Sequence, residues 1–249
     1  MKIIISPARR MKADLDSLPY HHLPQYLDKS KEILAWLRTR DYQQLQQLWG
    51  NCSDRIAQIN YQRIKEMDLT RNLTPAILAF QGLQYQYLGA GVMTETEITY
   101  IEQNLRIFSG FYGLLRPFDG ITLYRLGMGD HAAINGYQNL YDYWGSLLYE
   151  KLFAKDQTVL NLASQEYSRA ITPYLQVKDQ FITCVFGEEI NGKVKQKATL
   201  AKIARGNMVH YLAENNVQTL AELKRFTVGG YVYREDLSDE QTLYFVLSK

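Results

Sequence analysis

The chain has 249 residues, of which 46% are hydrophobic and 22% charged, and its formal net charge is +2. These proportions are typical of a folded globular protein, and the two widely separated cysteines, Cys52 and Cys184, argue against a disulfide framework. No apolar run approaches the roughly 18–20 residues of a membrane helix or has the length of a secretory signal, so we expect a cytoplasmic protein without a membrane partner.

The first part of the chain predicts a strand followed by helices. The apolar run Lys2–Ile5 predicts a short buried strand. Leucines and aromatic residues at helical spacing predict helices over residues 23–37 and 42–49, and Ser53 is a candidate cap for a third helix. The apolar run over residues 75–80 is short, so we expect another strand there.

The middle of the chain predicts two more helices and a strand. Thr94 and Glu97 have the spacing of a capping box at a helix start. Residues 137–153 have the pattern of one long amphipathic helix, and residues 158–162 that of a compact strand. The predicted strand over residues 158–162 is followed directly by a group of polar residues.

A β-hairpin is the clearest local prediction. Asn191 and Gly192 separate the alternating residues 181–188 from residues 193–199, and Asn-Gly tolerates the positive φ angles of a tight hairpin turn. A helix over residues 199–215 and two strands near the C-terminus, residues 230–234 and 242–247, complete the pattern. Because hairpins are mixed with helices, we predict an α+β fold, a single domain over residues 1–249 with a mixed β-sheet flanked by helices.

Residues 108–129 contain five glycines, namely Gly110, Gly113, Gly120, Gly127 and Gly129. Glycine has no side chain to pack and loses the most backbone freedom on folding. Such a concentration predicts that the backbone turns tightly here or that something approaches it closely.

The charge of the chain is unevenly distributed. Residues 1–13 hold four basic residues and no acid, and residues 190–213 hold five basic residues and no acid. A local positive field attracts polyanions even when the whole molecule is nearly neutral. On a predicted helix Lys202 and Arg205 share a face, which suits contact with phosphates. These windows indicate a surface that binds polyanions, and the alternative is two solvated faces.

Catalytic and metal-binding signatures are sparse. Polar side chains follow the strand at residues 158–162, where Asn161 and Ser164 are candidates to position a substrate and Glu166 and Asp142 are weak acid–base candidates. The alternative is that Ser164 only caps a helix. Adjacent histidines, His21 and His22, do not face the same way, so we predict no metal site and no cofactor.

Six ordered groups of residues carry a resemblance: 5–9 (ISPAR), 108–119 (FSGFYGLLRPFD), 124–126 with 128–129 (YRL, MG), 143–145 (YWG), 161–164 with 166–167 (NLAS, EY), and 201–202 with 204–206 (AK, ARG). The set resembles the YaaA family of peroxide-stress proteins over nearly the whole chain. The family pattern has Lys where Arg9 stands, Glu where Gly127 stands, and a second Lys where Ile203 stands.

The resemblance implies a cytoplasmic protein that protects DNA and proteins from hydrogen peroxide and is associated with limiting free iron. It also implies a DNA-binding α+β fold with a positively charged cleft and a helix-hairpin-helix-like element. Two glycine-containing segments compete for that element, residues 82–91 and residues 109–113.

Two functions remain open at this point. The first is binding of duplex or branched DNA by a monomer, with the contacts expected to converge on one concave surface: Arg9, Arg116, Arg125, Lys202 and Arg205, with Gly110 and Gly113 at the backbone. The alternative is an enzyme acting on a nucleic acid or a phosphorylated small molecule in the same cleft, with Glu166 or Asp142 as acid–base. Direct iron sequestration lacks a recognisable ligand set.

Overall fold

The computed structural model describes residues 1–248. Twelve strands occur in this range: Lys2–Ile5 (β1), Arg10–Met11 (β2), Thr74–Pro75 (β3), Phe80–Gln81 (β4), Leu105–Ser109 (β5), Gly113–Leu115 (β6), Gly120–Ile121 (β7), Thr158–Leu162 (β8), Gln180–Ile190 (β9), Lys193–Lys195 (β10), Tyr231–Arg234 (β11) and Thr242–Leu247 (β12). Eleven α-helices occur in the same range: Leu27–Arg38 (α1), Tyr42–Leu48 (α2), Asp54–Glu66 (α3), Ala76–Ala79 (α4), Leu83–Leu88 (α5), Glu95–Asn104 (α6), Leu140–Trp144 (α7), Leu147–Phe153 (α8), Gln165–Ser168 (α9), Ala198–Glu214 (α10) and Leu220–Leu223 (α11).

The main sheet has eight strands, with the path β11-β12-β9-β8-β1-β5-β6 and with β10 paired to the end of β9. The five central strands of the path are parallel, and the edge strands β6 and β11 are antiparallel to their neighbours. Helices pack on this sheet, with α6 against β5, α8 against β8 and α10 against β9. The predicted α+β fold with a mixed sheet is confirmed.

Strand β1 lies at the centre of the core. Ile3, Ile4 and Ile5 have no exposed surface, and Ile5 pairs with Ile107 on one side and with Leu162 on the other. A parallel strand covered on both faces is apolar throughout rather than alternating, which explains the run of three isoleucines. The residues that follow Ile5 therefore leave the sheet from its middle.

Several local predictions are confirmed. Asn191 and Gly192 have positive φ angles of 54° and 71° and join β9 to β10. Thr94 and Glu97 form both hydrogen bonds of a capping box at the start of α6. The predicted strands near the C-terminus are β11 and β12, and the predicted long basic helix is α10.

The predicted strand over residues 75–80 is wrong. This run holds the one-turn helix α4, between the two-residue strands β3 and β4. Strand β3 pairs with β7, and β4 pairs with β2, so the chain crosses from one small ladder to another. A short buried helix and a short buried strand are equally apolar, and periodicity cannot separate them.

The single long helix predicted over residues 137–153 is also wrong. It is divided into α7 and α8 at Gly145, whose φ of 52° and ψ of −141° lie outside the helical region. Only glycine adopts this backbone conformation without strain. The break lets Trp144 turn inward, where its Nε1 donates a hydrogen bond of 3.1 Å to the carbonyl of Gly110.

Helix α10 crosses α5 at very short range. A Cβ atom added to Gly206 would lie 2.3 Å from the carbonyl oxygen of Gln84 and 3.0 Å from the backbone nitrogen of Leu88. His210, one turn later, contacts the Leu88 carbonyl through Nδ1 at 2.9 Å. The position of α5 therefore depends on the absence of a side chain at residue 206.

No helix in residues 1–248 has the length and apolar character of a membrane span.

Candidate functional site

The connections of the main sheet change direction between β1 and β8. The chain that leaves β1 returns to the sheet at β5, on one side, whereas the chain that leaves β8 returns at β9, on the other side. In parallel sheets a crevice opens outside the carboxyl ends of the strands at such a point, and ligands commonly bind there. Ser6 and Ser164 close its floor, because the Ser164 N–H donates to Ser6 Oγ at 2.8 Å.

A cavity of about 410 Å³ lies at this crevice, and we call it the crevice cavity. It is lined by Arg9, Gly129, Tyr141, Gln165, Glu166 and Arg169. Arg9 follows β1, and the last three of these residues follow β8. Two guanidinium groups and one carboxylate therefore face a space bounded by an aromatic ring.

Asp130 holds Arg9 in place. The Arg9 Nη2 atom lies 2.8 Å from Asp130 Oδ1, and the Gly127 N–H donates to Asp130 Oδ2 at 2.7 Å. Burial alone would lower the pKa of Arg9, but the hydrogen bond and the charge of Asp130 outweigh burial and raise that pKa above its ordinary value. Arg9 is thus a fixed cation at the mouth of the crevice cavity.

Two hydrogen bonds hold Glu166 in place, one to its side chain and one to its main chain. Its Oε1 atom accepts the N–H of Gly129 at 3.1 Å, while the Tyr141 hydroxyl donates to the Glu166 carbonyl oxygen at 2.7 Å. A Cβ atom added to Gly127 would lie 2.8 Å from Arg9 Nη2 and 2.9 Å from Glu166 Oε1. The glycine at 127, where the family pattern has Glu, thus leaves the room that both charged groups occupy.

The other residues predicted at this strand end have different roles. Ser164 occupies the N-cap position of α9, but its side chain makes no capping hydrogen bond, so the interpretation as a simple cap is wrong. Asn161 is buried, with Oδ1 accepting the Ala163 N–H and Nδ2 donating to Thr183, and it does not line the crevice cavity. Asp142 is exposed in a hydrogen bond with Asn139 and does not line the crevice cavity.

A second concave surface follows the same strand end, and we call it the basic groove. It has a volume of about 680 Å³, and Arg10, Lys12 and Asp14 line it together with the backbone of Gly82, Gly89 and Gly91. Gly89 ends α5 with a positive φ of 67°, a single 3₁₀ turn follows, and α6 begins at Glu95. Helix α5 and the glycine turn that follows it therefore border the exposed side chains of Arg10 and Lys12.

Helix α10 supplies the remaining basic side chains. Lys202 is exposed, whereas Arg205 is largely buried beside Cys184, and burial lowers the pKa of its guanidinium. The Nε atoms of Arg205 and Arg125 are buried and have no hydrogen-bond partner among residues 1–248. A buried N–H without a partner is costly, so each of these two Nε–H groups has capacity for an additional acceptor.

Residues 1–237 match the family described as Peroxide stress protein YaaA. The chain belongs to this family. Proteins named UPF0246 protein are similar along almost their whole length: that of Limosilactobacillus reuteri is 61% identical over 249 residues and covers 100% of both chains. That of Pediococcus pentosaceus is 49% identical over 246 residues, covering 99% of this chain and 98% of its own. That of Lachnoclostridium phytofermentans is 44% identical over 246 residues, covering 99% and 96%.

Arg116, within the YaaA motif at residues 108–119, is not brought to the crevice. It pairs with Asp119 at 2.8 Å and donates to the Leu23 carbonyl at 3.1 Å. The register of β5 and β6 places it level with Arg106, before the carboxyl end of β1, whereas Arg9 lies beyond that end. The predicted convergence of all five basic residues is therefore not found for Arg116.

The two YaaA-motif glycines expected at a phosphate are buried against the protein itself, which corrects that prediction. A Cβ atom on Gly110 would lie 2.8 Å from the carbonyl oxygen of Leu126, and one on Gly113 would lie 2.7 Å from the Trp144 ring. The groups that approach this glycine-rich stretch are backbone atoms of the chain itself and the ring of Trp144. Residues 109–113 turn between two antiparallel strands, which leaves residues 82–91 as the segment with helices on both sides.

Asp119 in this YaaA-family chain should titrate near pH 6. Its side chain is fully buried, and burial raises its pKa from 3.8 to about 6 despite the neighbouring Arg116. Since the folded state holds this proton more tightly, the contribution to stability is greatest below about pH 4 and is lost as the pH rises through 6. Carbon-detected NMR titration measures the midpoint, with Asp68, whose pKa hydrogen bonds from Thr70 lower, as the internal comparison. A midpoint for Asp119 near that of Asp68 would contradict the expectation.

Sequence reasoning missed Asp130 and Arg169. Asp130 directly follows the YaaA motif at residues 128–129, so its position after Gly127 and Gly129 was the available signal. Arg169 lies one helical turn after Glu166, and its guanidinium stands 5.2 Å from the Tyr141 ring centre. Among residues 1–248, no three His, Cys, Asp or Glu side chains are grouped so that they could hold a metal ion.

Proposed function

We propose that this peroxide-stress protein acts by binding DNA through the basic groove. The observation that carries the proposal is that Arg10 and Lys12 line one groove with the glycine turn between α5 and α6. Backbone N–H groups at a turn before a helix and exposed basic side chains are the usual donors to DNA phosphates. Such contacts fix position on the duplex without reading its sequence.

Further basic residues extend this surface. Lys202 stands one turn before Gly206 on the face of α10 that meets α5, toward the start of α5. There a Cβ atom on Gly82 would lie 3.8 Å from the Cβ of Ala8, which immediately precedes Arg9 and Arg10. The basic residues after β1 and Lys202 of α10 thus both lie toward the start of α5, and we propose that together they extend the surface for a phosphate backbone.

The same binding supports a role in limiting iron-dependent damage. DNA phosphates carry a layer of condensed cations, and a protein that neutralises phosphates releases those cations. Ferrous ions held at phosphates would be displaced in the same way, which separates them from the sugars and bases that peroxide chemistry attacks. This route requires no iron ligands on the protein.

The salt dependence of DNA affinity tests the proposal. The logarithm of the association constant for a short duplex should fall linearly with the logarithm of salt concentration, with a slope of about −0.9 for each phosphate neutralised. Fluorescence anisotropy across a salt series measures this slope. Affinity that is undetectable at low salt, or that does not change with salt, for both duplex and branched DNA would refute the proposal.

A further inference from the structure

We propose that the crevice cavity binds a single guanine nucleotide. Its volume of about 410 Å³ falls within the range of roughly 300–1,000 Å³ that small-molecule sites occupy. It lies at the point where the sheet connections diverge, outside the carboxyl ends of β1 and β8, which is the usual ligand position in parallel sheets. The proposal rests on the DNA-binding function in one respect only, which is the source of the nucleotide.

Glu166 determines which base fits. Its Oε1 atom is held by the Gly129 N–H, and Oε2 accepts no hydrogen bond among residues 1–248, so the carboxylate presents free acceptors to the cavity. The Watson–Crick edge of guanine offers two parallel donors, N1–H and the 2-amino group, whereas those of the other three bases include acceptors that would oppose a carboxylate. A carboxylate in this position therefore selects guanine.

Tyr141 provides the surface on which the base stacks. Its hydroxyl donates a hydrogen bond to the main-chain carbonyl of Glu166, which keeps the ring beside the residue that carries the carboxylate. Arg169 lies over this ring at 5.2 Å and is exposed, so a base can take its place on the ring face. Stacking of a base on an aromatic ring is a main source of affinity in single-stranded nucleic-acid sites.

Arg9 and Arg169 are the groups that would bind the phosphate of the nucleotide. Arg9 uses one side of its guanidinium on Asp130 and retains an exposed side chain at the cavity, where 47% of its surface is accessible. Arg169, once displaced from Tyr141, remains beside the same space. A guanidinium pairs with phosphate oxygens through two parallel hydrogen bonds, and its charge is permanent. The cavity therefore offers one carboxylate to the base and two cations to the phosphate.

The same chemistry could come from a free mononucleotide or from a guanosine turned out of a DNA helix. The test uses isothermal titration with GMP, AMP, CMP and UMP, and fluorescence anisotropy with duplexes that carry one unpaired guanosine or one unpaired thymidine. Each ligand is titrated into the wild-type protein, Glu166→Gln and a matched control, Glu240→Gln, whose exposed carboxylate precedes β12 at the opposite end of the parallel strands.

Preference for GMP of about tenfold or more, lost in Glu166→Gln and kept in Glu240→Gln, supports a free nucleotide as the ligand. No GMP binding, with about tenfold preference for the unpaired guanosine that Glu166→Gln removes, supports an extruded nucleotide. Equal binding of all bases in both formats, or a guanine preference that Glu166→Gln retains, overturns the inference. Salt-dependent binding of a fully paired duplex is measured in parallel, so that loss of the DNA-binding function is recognised separately.

Discussion

Replacing Gly206 with alanine is expected to destabilise the protein by about 2 kcal/mol, because an overpacking cost near the upper end of its usual range exceeds the gain in helix propensity. In most helices this change gains roughly 1 kcal/mol from helix propensity. Here the new Cβ atom would lie 2.3 Å from the Gln84 carbonyl oxygen and 3.0 Å from the Leu88 nitrogen. Both are backbone atoms that no side-chain rotation can move, so α5 must shift away from α10, and overpacking of this kind costs about 1–3 kcal/mol or more. Urea denaturation followed by circular dichroism measures the difference.

Gly91→Ala is the matched control for that change. A Cβ atom at Gly91 meets nothing within 4 Å, so the free energy of unfolding should change by no more than about 0.5 kcal/mol. A Gly206→Ala protein as stable as the wild type would show that α5 and α10 are not packed this closely. Because α5 carries the glycine turn of the basic groove, the same variant should also bind DNA more weakly at temperatures where it remains folded.

Local signals in the sequence predicted most of the sheet. The run of isoleucines in β1, the Asn191-Gly192 turn and the capping box of α6 each involve residues that are neighbours along the chain. Whether such a turn or cap forms depends on turn geometry and on hydrogen bonds that span three or four residues. Such features are visible in a sequence because the interacting groups and the signal lie in the same short window.

The composition of the candidate site could not be predicted in the same way. Arg9 and Arg116 have the same side chain in similarly marked motifs, yet the pairing register takes them to different levels of the sheet. The glycines at 110 and 113 face a loop and a tryptophan that follow much later in the chain. Asp130 can pair with Arg9 only because the chain that leaves β1 places Arg9 beside it. These relations depend on strand order, which residue spacing does not encode.

Removing the two cations of the basic groove, Arg10 and Lys12, should cause the largest loss of DNA binding. The double variant Arg10→Ala with Lys12→Ala removes exposed side chains, of which only Lys12 has an acidic partner within residues 1–248, a distant 3.9 Å contact with Asp14. Folding should therefore be little affected. If each residue neutralises one phosphate, duplex affinity should fall by roughly tenfold or more, and the salt slope should become shallower by about 1.8.

Lys178→Ala is the matched control, because Lys178 is exposed just before β9, at the opposite end of the parallel strands from the groove. The deciding measurement is the anisotropy-detected affinity of the double variant, the control and the wild type for one duplex across a salt series. We predict a weaker affinity and a shallower slope for the double variant alone. Unchanged affinity and slope in the double variant, with DNA still bound, would place the DNA contact elsewhere and contradict the account.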